Sequence, residues 1–266
     1  MKIPAMGFGT FRLEGDVAYQ SVLTALRAGY RHIDTAQIYG NEVEVGKAIA
    51  DSGIARSEIF LTTKVWNDNL SQEKFVTSVK TSLNKLASDY VDLLLIHWPA
   101  PPKGTSLLDA TQSLVKAKEQ GLTRAIGVSN FTIAQLEAIK PALTDTPLLT
   151  NQVEVHPYLT NLKLRAYCQQ HNITVTGYMP FAVGKVLKDP VVTSIAKAHN
   201  CTPAQAIIAW TQANHLITIP SSTKAKNIEA NLAGLSIKLT STQLAAIDQL
   251  NCNERIATPD FSPEWD

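Results

Sequence analysis

At 266 residues the chain is long enough for one large domain or two small ones with a sizeable core. Its 45% hydrophobic and 18% charged residues are ordinary for a globular enzyme, and a net charge of +1 without a long basic run argues against nucleic acid or an anionic membrane as the main partner. The opening MKIPAMGFGTF lacks a signal-like apolar run, and Cys168, Cys201 and Cys252 are widely spaced with no C-x-x-C, so a cytoplasmic protein with reduced thiols is expected.

Taken in chain order, short β-branched or apolar runs alternate with amphipathic segments. Tyr30–Asp34 reads as a strand, followed by a helix over Glu42–Asp51. Ile59–Thr63 is next, then a helix over Ser71–Leu86, where Phe75, Val79, Leu83 and Leu86 form a one-sided stripe and Ser71 is a candidate N-cap. Val91–Ile96 precedes Leu107–Glu119, Thr123–Val128 precedes Ile133–Lys140, and Leu148–Val153 precedes Leu162–His171. Ile173–Tyr178 leads to Val191–His199 and Pro203–Ala213, the latter opened by Thr202-Pro203 as cap and first position. Leu216–Ile219 leads to Lys224–Asn231, and Leu235–Leu239 to Ser241–Leu250. This rhythm predicts a single-domain α/β (β/α)8 TIM barrel over residues 1–266, with an open doubly wound sheet as the competing architecture.

In such a barrel the carboxyl ends of the strands share one mouth. Asp34, Lys64, His97-Trp98, Ser129-Asn130, Gln152, Tyr178 and Ser221-Ser222 all fall there. Asp34 and Lys64 end neighbouring strands and could form a structural ion pair. With Tyr39 one short loop beyond Asp34, they also permit acid–base chemistry: an ammonium lowers the pKa of a phenol that ordinarily titrates near 10. His97 could polarise a carbonyl oxygen or simply be satisfied within a turn. Carbonyl reduction would need a hydride source. Gly7-Phe8-Gly9 is a lone G-x-G without a third glycine, so a Rossmann fingerprint is not supported. Ser129, Asn130 and Gln152 suit a carboxamide, Tyr178 offers a stacking face, and IPSSTKAKN suits phosphate.

The stretch GYRHIDTAQIYGNEVEVG resembles the first signature of the aldo-keto reductases, and LLLIHWP, AIGVSNF, NQVEVHPYL, GYMPF and IPSSTKAKNIEAN resemble later family motifs in the same order. The resemblance covers essentially the whole chain. It implies that Tyr39 is the general acid/base, that Lys64 and Asp34 tune it, and that His97 orients the carbonyl. It further implies that Ser129, Asn130 and Gln152 bind a nicotinamide carboxamide, that Tyr178 stacks on the ring, and that Ser222, Thr223 and Asn231 hold the adenosine end of NADPH. Thr10, Phe11, Met179, Phe181, Ile219, Ser221, Lys224 and Asn227 complete the implied cofactor trough. Substrate would meet Phe11, Tyr39, Trp66, His97 and Trp98, with no metal. Within the family, the compact loops, IPSSTK and the closing SPEWD are most similar to bacterial 2,5-diketo-D-gluconate reductases of the B type. That similarity implies reduction of 2,5-diketo-D-gluconate to 2-keto-L-gulonate, and of methylglyoxal.

Three departures from the family pattern stand out. Ser221 replaces its usual lysine and Asn227 its usual arginine, both associated with the 2′-phosphate of NADPH; Lys224 and Lys226 could compensate. The segments after the third expected strand, after Tyr178 and at the carboxyl terminus are short, so a shallow, open mouth is expected. Little sequence precedes Gly7, so the family's amino-terminal plugging hairpin is expected to be truncated. Alternatives remain. His32-x-Asp34 and Glu154-x-His156 have a spacing suited to a metal-dependent hydrolase, Lys64 could form a Schiff base as in aldolases, and a catalytically silent, NADPH-binding regulatory barrel is possible. A monomer acting on a small-molecule carbonyl is the expected assembly.

Overall fold

The computed structural model describes residues 1–143 and 145–266. Eight parallel strands pair in chain order: β1 (Phe8–Gly9), β2 (His32–Asp34), β3 (Phe60–Val65), β4 (Val91–Ile96), β5 (Thr123–Ser129), β6 (Leu148–Glu154), β7 (Thr174–Tyr178) and β8 (Ile217–Thr218). A parallel bridge between Met6 and Thr218 brings the last strand against the first, with Gly7 N donating to Thr218 O at 2.9 Å and Gly9 N to Pro220 O at 3.1 Å. The sheet is a closed (β/α)8 barrel.

The first strand of the ring is therefore Phe8–Gly9, and the expected strand at Leu235–Leu239 does not exist. Gly234–Ser236 is a 3₁₀ turn, and half-buried Leu235 and Leu239 lean on the helical layer. Their alternation records one-sided burial, which an extended linker satisfies as well as a strand does. Phe8–Gly9 was hidden for the opposite reason: two residues are too few to show a period. Its glycines answer to contacts across the barrel. A Cβ at Gly7 would lie 2.5 Å from His32 Nδ1, and one at Gly9 would lie 2.7 Å from Ile219 O.

Around the barrel run α1 (Gly15–Ala28), α2 (Glu42–Asp51), α3 (Gln72–Lys85), α4 (Leu107–Glu119), α5 (Ile133–Leu143), α6 (Leu162–Gln170), α7 (Pro190–Ala198), α8 (Pro203–Ala213), α9 (Ala225–Ala233) and α10 (Ser241–Asp248). Helix α1 had no counterpart in the sequence reading. Thr202 caps α8 in a reciprocal box with Gln205, and Pro203 occupies the first turn as expected. Ser71 holds the N-cap position of α3 without a side-chain bond.

Outward-facing strand residues such as Leu61, Val65, Leu94, Ile96 and Val128 join the helices in the main core, while Ile3, Phe60, Leu93, Leu95 and Ala125 form a smaller cluster. Ile3, only 3% exposed, packs into that smaller cluster. Among the described residues no helix is long and apolar enough to cross a membrane.

Candidate active site

Strand β2 delivers a buried carboxylate at Asp34, and β3 delivers the answering cation at Lys64. Lys64 Nζ donates to Asp34 Oδ1 at 2.5 Å, to Thr35 O at 2.9 Å and to the Tyr39 hydroxyl at 3.3 Å. The other Asp34 oxygen accepts from Gln152 Nε2 at 2.7 Å. A buried ion pair stabilises only when its remaining hydrogen-bonding capacity is met, and here it is. Tyr39 reaches the cluster from a single 3₁₀ turn, Gln37–Tyr39, that closes on Gly40 in the left-handed region (φ 68°).

The electrostatics differ in one respect from the expectation that Lys64 lowers the Tyr39 pKa. Burial pushes the phenol up, Lys64 pulls it down, and burial prevails, so Tyr39 lies above its ordinary value. For Lys64, burial alone would lower the pKa, but Asp34 and Tyr39 outweigh it and the ammonium is favoured. A charged lysine with all three hydrogens engaged is a poor Schiff-base nucleophile. Burial, then the Lys64 charge, hold His97 well below the usual histidine range. Its ring is neutral, with Nδ1 buried and unpartnered, which leaves Nε2 to act as a donor. The Tyr39 and His97 ring centroids are 5.5 Å apart.

Tyr39, His97, Trp66, Trp98 and Phe11 face one cavity of about 720 Å³ with Ser129, Asn130, Gln152, Tyr178, Met179, Phe181, Ile219, Ser221, Ser222 and Thr223. The expected carboxamide-binding group is already wired together. Tyr178 OH donates to Asn130 Oδ1 at 2.8 Å, Asn130 Nδ2 donates to His97 O at 3.0 Å, and Ser129 Oγ donates to Gln152 O at 2.8 Å. Asn130 manages this from a left-handed backbone (φ 65°), which asparagine tolerates. Four of the implied cofactor residues lie outside the cavity lining: Thr10, Lys224, Asn227 and Asn231. Thr10 is buried, its hydroxyl given to Asp34 O at 3.0 Å, so it braces the site from behind. Lys224 and Asn227 are exposed at the start of α9, and Asn231 is buried within it.

The histidine–carboxylate spacings do not build a metal centre. His32 Nε2 pairs with Thr62 Oγ1 at 3.1 Å, His156 Nε2 with Glu154 Oε1 at 2.8 Å, and no group of three suitable ligands gathers among the described residues.

The aldo/keto reductase family model matches residues 5–252. The chain is an aldo-keto reductase. It is 51% identical, over an alignment spanning all of both chains, to methylglyoxal reductase DkgB of Escherichia coli O157:H7. It is 40% identical to a glyoxal reductase of Bacillus subtilis, with 96% of this chain and 92% of the other covered. A crystal structure assigned to 2,5-diketo-D-gluconic acid reductase B superposes with a TM-score of 0.95 at 42% identity, covering 99% of this chain and 94% of that one.

Two parts of this aldo-keto reductase site had no clear signal in the sequence. Arg12, Leu13 and Ile38 line the cavity from the loops after β1 and β2; nothing in their spacing marked them. The second part is the tail. Ile256, Ala257, Pro259 and Phe261 form a wall of the cavity, so the mouth is more enclosed than the loop lengths suggested. Phe261 packs edge-on against Trp66 and Trp98 at 5.8 and 5.6 Å. The tail is anchored by Glu154, whose two oxygens accept from Ile256 N and Ala257 N at 2.8 and 2.7 Å. Burial alone would raise the Glu154 pKa, but the His156 bond and these two amides hold it below its ordinary value. Arg255 lies 3.6 Å from the centre of the Trp265 ring, and Asp266 accepts from the first amide of α5, Ile133 N, at 3.0 Å. Aromatics in the closing FSPEWD were the available clue.

Proposed function

We propose that this aldo-keto reductase reduces small aldehydes and ketones, methylglyoxal and 2,5-diketo-D-gluconate (to 2-keto-L-gulonate) among them, with NADPH as cofactor and Tyr39 as proton donor. The observation that carries the proposal is the contact between Lys64 and Tyr39. Because Lys64 donates into the phenol oxygen, the phenol's own hydrogen is free to serve a substrate oxygen in the cavity. His97, neutral, adds a second donor to that oxygen, and the two together would bind the negative charge that builds on it. Trp66, Trp98 and Phe11 would surround the small carbonyl and exclude water.

The donor set fits a nicotinamide cofactor. Gln152 gives its amide hydrogen to Asp34, which leaves its carbonyl oxygen as an acceptor for a carboxamide, and the Tyr178 ring lines the same cavity. Ser221, Ser222 and Thr223 continue the lining toward the amino terminus of α9, a favourable place for phosphate. When bound, NADPH supplies the hydride. The names of the similar methylglyoxal, glyoxal and 2,5-diketo-D-gluconic acid reductases support the substrate class. Oxidation of NADPH and NADH, followed side by side with methylglyoxal and 2,5-diketo-D-gluconate, tests the proposal. Consumption of NADPH with equal formation of the hydroxy product is expected; tight NADPH binding without oxidation across a carbonyl panel would instead mark a silent regulatory barrel.

A further inference from the structure

Gln37 is one half-buried amide joined to two separate pieces of the structure, α3 and the turn that follows β3. Its Nε2 donates to Ser78 Oγ at 3.1 Å and to Ser82 Oγ at 3.2 Å, both on α3. Its Oε1 accepts from the main-chain N of Trp66 at 2.9 Å and from Asn69 Nδ2 at 2.9 Å. A glutamine amide has two hydrogens and two acceptor sites, and all four are used. Gln37 also opens the 3₁₀ turn that ends at Tyr39. The amide thus ties the turn bearing the proposed proton donor to the residue that forms the facing wall. The Trp66 ring stands 5.3 Å from His97 and 5.8 Å from Phe261.

No packed core lies behind this amide. An open groove of about 460 Å³, lined by Gln37, Thr77, Ser78 and Ser82, occupies that side. Close packing fixes side chains elsewhere in the barrel, but the turn here is held by directional bonds, and losing them leaves it free to shift. We propose that Gln37 is a positioning residue, which sets Tyr39 against the Trp66–His97 wall and so fixes where the substrate carbonyl sits. The inference rests on the carbonyl reduction proposed above.

Gln37→Leu keeps the approximate size and removes all four bonds, while Gln37→Glu keeps the acceptors for Trp66 N and Asn69 and can still accept from Ser82. Steady-state kinetics with methylglyoxal, NADPH affinity by fluorescence, and the melting temperature should be measured on both. Misplacement of a reacting group by about 1 Å can cost on the order of a hundredfold in rate, so Gln37→Leu is expected to lose roughly ten- to a hundredfold in kcat with a raised KM. NADPH affinity should stay within about twofold, and Gln37→Glu should recover a substantial part of kcat. A merely structural role would lower the melting temperature and NADPH affinity together and give no rescue; that outcome overturns the proposal, as does wild-type kcat in Gln37→Leu. If Gln37→Leu does not fold, the same decision falls to Gln37→Ala, which also removes all four bonds: a selective kcat loss supports positioning, and unchanged kcat opposes it. A wild-type protein that reduces no carbonyl would remove the reaction and this inference together. Active wild type, inactive Tyr39→Phe and normal Gln37→Leu would remove the inference alone.

Discussion

Lys64 has three hydrogens to give and three acceptors that take them, in a position with no exposure to solvent. Its charge is thereby fixed, and the proton that can move belongs to Tyr39. Tyr39→Phe is expected to abolish carbonyl reduction while NADPH binding survives; near-normal turnover would sink the proposed mechanism. The phenol is raised by burial, so it stays protonated through neutral pH. Reduction should therefore be level through neutrality and fall only as alkaline pH removes the proton, whereas alcohol oxidation, which needs the phenolate, should rise over the same range. Lys64→Met removes the one charge that opposes burial, so the oxidative limb should move to still higher pH in kcat–pH profiles. It also strands Asp34, at a cost of about 3–5 kcal/mol in unfolding free energy.

At the scale of elements, the loop that opens α9 and the carboxyl-terminal tail decide what the cavity holds. Lys224 and Lys226 are exposed near Ser221 and Asn227, at the start of α9. If they read the 2′-phosphate, changing both to alanine should weaken NADPH more than NADH in paired titrations; equal loss would assign neither lysine that role. The tail depends on Glu154, whose pKa is held down against burial by the His156 bond and by the bonds that hold Ala257 and Ile256. Glu154→Gln keeps one acceptor and forces an amide hydrogen toward one of the partners. It should loosen the Phe261 wall, raising KM for methylglyoxal more than it lowers kcat, with faster proteolysis after residue 254 as the structural check.

Across the whole molecule, the gathering of the proposed catalytic residues at one mouth was far easier to read than the ring that supports it. Asp34, Lys64 and His97 stand where apolar runs stop, so their polarity announces the strand ends. The main errors lay where a signal was too short or had a second cause: Phe8–Gly9 is only two residues long, and Leu235–Leu239 alternates because a surface linker is buried on one side. The Gln37 amide and the tail anchors act through contacts between distant segments, which no local period encodes. His32 adds a property of the assembled barrel. Burial lowers its pKa to about 4, so the folded protein stays neutral there while the unfolded chain gains a proton below about 6.5. The stability it contributes is complete above that upper value and is lost as pH falls toward the lower one, by about 3 kcal/mol in all. Urea unfolding between those pH values should show this slope, and His32→Asn should flatten it.

The bond from Gln152 to Asp34 runs between β6 and β2, across the ring and 118 residues apart in sequence. Neither half of the chain can make it alone, and no stretch of helix can substitute for it. Turnover is thus a gauge of circularity. During refolding, helical signal can return while the sheet is still an open arc, but catalysis should return only when the last strand has met the first.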